Sequence, residues 1–203
     1  MVNMTFWPAL VLLIMTWNGV EGQNDSSTLP TENQNKVEEV RKMVNGTESL
    51  VILLRTNWPP RSNNTRCWMS KKNYTGLAMP QHHLRYQQQV KNTQETENWQ
   101  RRTLTALYIA GLRSNIVTFA MFTYDKQMKL QRETIGYFFI IYAKRPCFVL
   151  QSQEDTSSCM AWVTRKTITE NHDDCIKSFN STCVQATTTV HKYAKSICKK
   201  LEK

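Results

Sequence analysis

The spacing of apolar and polar residues changes character several times along this chain. An unbroken apolar run comes first, Trp7-Pro8-Ala9-Leu10-Val11-Leu12-Leu13-Ile14-Met15, and the small residues Val20 and Gly22 follow it on either side of Glu21. Residues 23–36 are polar, rich in Asn, Ser, Thr and Gln, and read as a flexible N-terminal arm. Val37, Val40, Met43 and Val44 then fall at helical spacing over one or two turns, and Asn45-Gly46 stops the pattern. From residue 48 onward the pattern is that of strands, predicted over 48–57, 65–71, 83–90, 99–110, 115–124, 132–143, 147–151 and 158–165. Turn chemistry separates them: Pro59-Pro60 with Ser62-Asn63-Asn64, Gly76 to Pro80, Gly111 to Ser114, and Lys144-Arg145-Pro146. The segment 84–90 alternates poorly and also fits a helical turn.

The period changes once more near the end. Cys175, Phe179 and Cys183 fall at i, i+4 and i+8, so on a helix they share one face and both thiols point at whatever that helix packs on. Their natural partners are Cys147 and Cys159, which open the last two apolar runs. Eight short strands in series with hairpin-sized links, then a helix, predict a mainly β fold rather than a βαβ one. The expected architecture is an eight-stranded antiparallel up-and-down barrel with a short N-terminal helix and a C-terminal helix pinned to the sheet. One domain over residues 37–203 is long enough to bury a core. A barrel of eight strands is just wide enough for one small ligand.

Composition adds the compartment. The run at Trp7–Met15 is too short to span a bilayer and, with Val20-Glu21-Gly22, reads as a secretory signal peptide over residues 1–22. Secretion makes the six cysteines a disulfide framework rather than a metal site, and no Cys-x-x-Cys spacing occurs. Asn24, Asn45, Asn63, Asn73 and Asn180 each head a glycosylation sequon. The formal charge of +10 rises to about +11 without Glu21, but the basic residues are scattered, as on a solvated cationic surface, with no nucleic-acid pattern. His82-His83 after Pro80 is expected in a loop, and Asp173-Asp174 as a helix N-cap with favourable dipole placement. No Ser-His-Asp, Cys-His or paired-carboxylate arrangement emerges, so the expectation is a binding protein without catalysis, metal or cofactor.

At this point the residues resemble a known family. A signal peptide, a short helix, Thr65-Arg66-Cys67 in the second strand, Pro146-Cys147-Phe148-Val149 opening the seventh, Cys159-Met160-Ala161-Trp162 in the eighth, and the series Cys175, Cys183, Cys198 together resemble the tick salivary lipocalins, which include the histamine-binding and japanin-like proteins. The family's helix motif of acidic-Ala-Trp-basic is degraded here to Glu38-Glu39-Val40-Arg41. The resemblance implies the pairs Cys67–Cys198, Cys147–Cys175 and Cys159–Cys183; sequence alone leaves fifteen connectivities open.

It also implies where a ligand would sit. Amine binders of the family carry inward carboxylates, and the matching positions here are Met160, Phe138 and Trp58, all apolar. In the same register Thr134, Gly136, Phe138, Ile140 and Tyr142 line the lumen from one strand and Met160 and Trp162 from another, joined by Phe119 and Met121. Arg55, near the mouth, and Arg101 are candidates to meet a carboxylate. Such a lining suits a sterol, fatty acid or eicosanoid, although inward aromatics can also simply fill a small barrel. The leading expectation is a secreted lipocalin that takes up a small host mediator and dampens inflammation or immunity. A second is a surface-acting protein that binds a host protein or cell-surface receptor, and a third, an amine binder, ranks below both on charge grounds. No membrane insertion is expected.

Overall fold

The structure, a computed structural model, describes residues 30–59, 64–73, 80–90, 98–113 and 116–199. Its frame is eight antiparallel strands: β1 (Leu50–Arg55), β2 (Thr65–Asn73), β3 (Gln81–Val90), β4 (Asn98–Arg113), β5 (Ile116–Tyr124), β6 (Gly136–Lys144), β7 (Cys147–Ser152) and β8 (Cys159–Thr164). Each pairs with the next, and β1 pairs with both β8 and β2, which closes the barrel. A two-residue strand, β9 (His191–Lys192), adds to the far end of β1. Among the described residues three α-helices accompany the sheet: α1 (Thr31–Asn45), α2 (Asp173–Cys183) and α3 (Lys195–Cys198).

The strands form because their side chains serve two apolar clusters, one inside the barrel and one outside. Phe148, Leu150, Met160 and Trp162 point into the lumen cluster, while the alternating Cys147, Val149, Cys159, Ala161 and Val163 join the outer one. α2 covers that outer face, so β7 and β8 are apolar on both sides and read as nearly continuous hydrophobic runs. On α2, Cys175, Phe179 and Cys183 are the buried residues. Bridges Cys147–Cys175 and Cys159–Cys183 fasten this helix to the starts of β7 and β8, and Cys67–Cys198 ties the C-terminal segment to β2. These are the pairs that the resemblance implies.

α1 closes one end of the barrel. Its buried face, Val37, Val40, Met43 and Val44, belongs to the lumen cluster. Its outer face carries the ion pairs Glu32–Lys36 and Glu38–Lys42, each at 2.8 Å. Arg41 Nε donates to the Ala110 carbonyl at 2.8 Å and Glu39 meets Arg145 at 3.3 Å, which join the helix to the end of β4 and the β6–β7 turn.

Four expectations need correction here. The helix begins at Thr31, so residues 31–36 of the expected arm are helical; their support comes from charge pairing, which leaves no apolar signal. His82 and His83 lie within β3 rather than in a loop, and β3 is a full strand despite its poor alternation. Residues 132–134 form a 3-10 turn, and β6 begins only at Gly136. His172, not an aspartate, occupies the N-cap of α2, and Asp173 and Asp174 sit in its first turn, where the helix dipole favours them. The expected signal peptide, residues 23–29 of the arm and the sequons at Asn24 and Asn63 lie outside the described residues.

Candidate functional site

The lumen gathers residues from every strand of the barrel. Of the expected lining, Trp58, Phe119, Met121, Phe138, Ile140, Met160 and Trp162 all belong to the lumen cluster and are buried. Phe138, Met160 and Trp58, the positions matched to the carboxylates of amine binders, are no more than 2 % exposed.

Tyr142 does not join them. Ile140 pairs with Leu150, but Tyr142 pairs with Val149, so one extra residue, Ile141, is inserted in β6. This bulge turns Tyr142 to the outside, where it packs on the cluster beneath α2. Arg101 is exposed on β4 and so does not point inward. Thr134 is buried on the 3-10 turn, its hydroxyl 2.5 Å from that of Thr123, and Gly136 is half-buried.

Aromatic rings form two connected groups in the lumen. Near the mouth, Trp68 stacks on Tyr86 with ring centroids 4.0 Å apart and lies 4.9 Å from Trp58. Deeper, His82, Tyr108, Phe119, Phe148 and Trp162 follow one another at 4.6 to 6.3 Å between centroids.

The lumen's polar groups are few and mostly paired. Ser70 Oγ lies 2.9 Å from both His82 Nδ1 and the Tyr108 hydroxyl, and His82 Nε2 lies 2.9 Å from the Val44 carbonyl at the end of α1. With Nε2 donating to Val44, Nδ1 accepts from Ser70, and the imidazole is neutral. Burial pushes the His82 pKa down to about 4, outweighing the Val44 bond that raises it; Lys72 and His83 lower it further. Burial also raises the Tyr108 hydroxyl well above the usual range. Sequence reasoning missed this network, because its members lie on β2, β3 and β4 and a serine or tyrosine in a strand carries no pattern that marks it as inward.

Two polar groups stand apart. Trp162 Nε1 is buried with no hydrogen-bond partner among the described residues. Arg55, 3 % exposed, donates from its terminal nitrogens to the carbonyls of Trp58 at 2.7 Å and Thr65 at 2.6 Å. Burial lowers its pKa to about 10, so it keeps its charge at neutral pH. Among the described residues no Asp or Glu is buried, so nothing acidic faces this cation or a ligand cation in the lumen. An ammonium placed among these residues would lie unpaired at high cost.

No curated protein matches the chain. Among solved structures, japanin from Rhipicephalus appendiculatus, bound to cholesterol, aligns with a TM-score of 0.55 at 14 % identity over 76 % of this chain and 97 % of that one. Lobster apocrustacyanin A1 aligns with a TM-score of 0.43 at 10 % identity, over 81 % and 85 %. The model of the tick histamine binding protein family matches residues 29–200. With the closed barrel and its lumen in place, that match over most of the length makes the chain a member of the tick histamine-binding protein family, built on the lipocalin fold.

Proposed function

We propose that the protein is a secreted tick lipocalin that sequesters a small apolar or amphipathic host mediator in its lumen, and by removing it tempers host inflammation or immunity. One observation carries the reading: large apolar side chains occupy the lumen while no buried acid is found among the described residues. A sterol, a fatty acid or an eicosanoid meets such a wall with its hydrocarbon and leaves few polar groups to satisfy. Japanin, bound to cholesterol, supports a sterol as one candidate, and the unpartnered Trp162 N–H suits a ligand with a single hydroxyl or carbonyl. The three bridges and the sequons fit a role outside the cell.

Amine binding is disfavoured by the same wall. Titration calorimetry with histamine, beside tryptophan quenching by cholesterol and by arachidonic acid, tests the proposal. The expected result is saturable quenching by at least one lipid and no heat from histamine. Histamine heat with no lipid quenching would reverse the reading.

A further inference from the structure

The seam between β1 and β2 is short. The two strands pair at Leu50–Ser70 and Val51–Met69. Toward the mouth β2 slips register against β3 between Arg66 and Met69, Cys67 takes φ 60°, and β1 pairs with β9. A cleft of about 280 Å³ remains in the wall, lined by Ile52, Arg55, Arg66, Trp68, His191 and Lys192 among others.

Every charged side chain in that lining is basic. Arg55 is buried and, among the described residues, forms no ion pair; its two carbonyl partners satisfy hydrogen bonds but leave the charge unmatched. His191 stands directly opposite Arg55 in the β1–β9 pair, and burial together with the Arg55 charge lowers its pKa. Arg66 is half-buried beside them, bonded to Gln87 and stacked over Trp99. Of the cleft's apolar walls, Val190 and Tyr193 pack on the outer cluster while Ile52 and Trp68 belong to the inner one, so the cleft reaches from the outer face to the barrel interior.

We infer that this seam is a carboxylate slot: an amphipathic monocarboxylate seats its head group against Arg55 and His191 while its hydrocarbon tail passes Ile52 and Trp68 into the lumen. The inference rests on the lumen-ligand reading and narrows it from apolar ligands in general to acids. A carboxylate supplies the charge that Arg55 lacks, in a geometry the guanidinium fork accepts. A neutral sterol would leave that charge as it is, and an amine would add a second cation to the group. The buried position of Arg55 also favours a small head group over the sulfates of a polymer.

Fluorescence titration of the secreted full-length protein with cis-parinaric acid and with its methyl ester tests this directly. The acid is expected to bind about 10-fold or more tightly than the ester, the advantage of one charge-assisted hydrogen bond or better. R55Q abolishes that preference, weakening the acid more than the ester. Because Arg55 also ties Trp58 to Thr65, a variant carrying H191Q and K192Q on β9 provides a second reading, with the preference for the acid reduced about threefold. Equal binding of acid and ester by the wild type, or variants that weaken both alike, overturns the slot and leaves the lumen reading intact. Binding of neither probe overturns both.

Discussion

Phe148 and Trp162 face one another across β7 and β8, their rings nearly parallel at 10° with centroids 6.3 Å apart, and the indole N–H of Trp162 has no acceptor. A buried donor without a partner is costly to the empty protein, by about 1–3 kcal/mol, and becomes an asset once a ligand supplies an oxygen. Trp162→Phe therefore changes stability by less than about 1 kcal/mol, since lost ring volume and the deleted orphan donor oppose each other. Affinity for a ligand with a hydroxyl or carbonyl falls about 3- to 10-fold. Thermal unfolding and quench titrations of the variant check both halves.

His82 makes stability depend on pH. Its folded pKa, about 4, lies below the usual value near 6.5, so the unfolded chain binds the proton more readily between these limits. Stability from the neutral imidazole is complete above about pH 6.5 and is lost as pH falls towards 4, by roughly 3 kcal/mol in all. His191, also lowered, adds in the same direction. In denaturant titrations from pH 7 to 5, the wild type is expected to lose stability progressively and His82→Gln to lose clearly less. The same slope in both would remove His82 from the account.

The clamp on α2 is separable from the lumen. Cys147–Cys175 and Cys159–Cys183 close segments of 28 and 24 residues, and each is worth about 3 kcal/mol by the loop-entropy model. Replacing Cys147 and Cys175 together by alanine lowers stability by about that amount, read by denaturant unfolding. Ligand affinity changes less than about twofold, because both cysteines belong to the outer cluster.

Tyr142→Ala distinguishes the two faces of β6. The ring packs beneath α2, so its loss costs about 1–3 kcal/mol of stability and leaves ligand affinity unchanged. Phe138→Ala, on the inner face, lowers both. Parallel unfolding and binding titrations of the two variants measure the contrast.

The barrel was legible in the sequence because period-2 alternation and turn residues are local signals. The cysteines at i and i+8 on α2 were legible for the same reason, since helical spacing alone puts Cys175 and Cys183 on one face. What escaped detection depends on distant partners. The Ile141 bulge, which sends Tyr142 outward, exists only in the pairing of β6 with β7, and no residue type marks it. His82 looked like part of a loop because it follows Pro80; its role comes from Val44, Ser70 and Tyr108 meeting it in space. Seven of the expected lumen residues, from Trp58 to Trp162, were placed by family register and lie in the lumen cluster. Arg101 shows the limit of that reasoning, since it was a candidate for the same role as Arg55 and lies exposed on β4, whereas Arg55 is buried.

The account turns on a lumen that holds hydrocarbon. Native mass spectrometry of glycoprotein from a eukaryotic secretory host tests this most directly, before and after organic extraction and with histamine added to the same sample. The account predicts a bound mass that extraction removes and that proves to be a lipid, with no histamine adduct. A protein that carries nothing extractable and takes up histamine would contradict it.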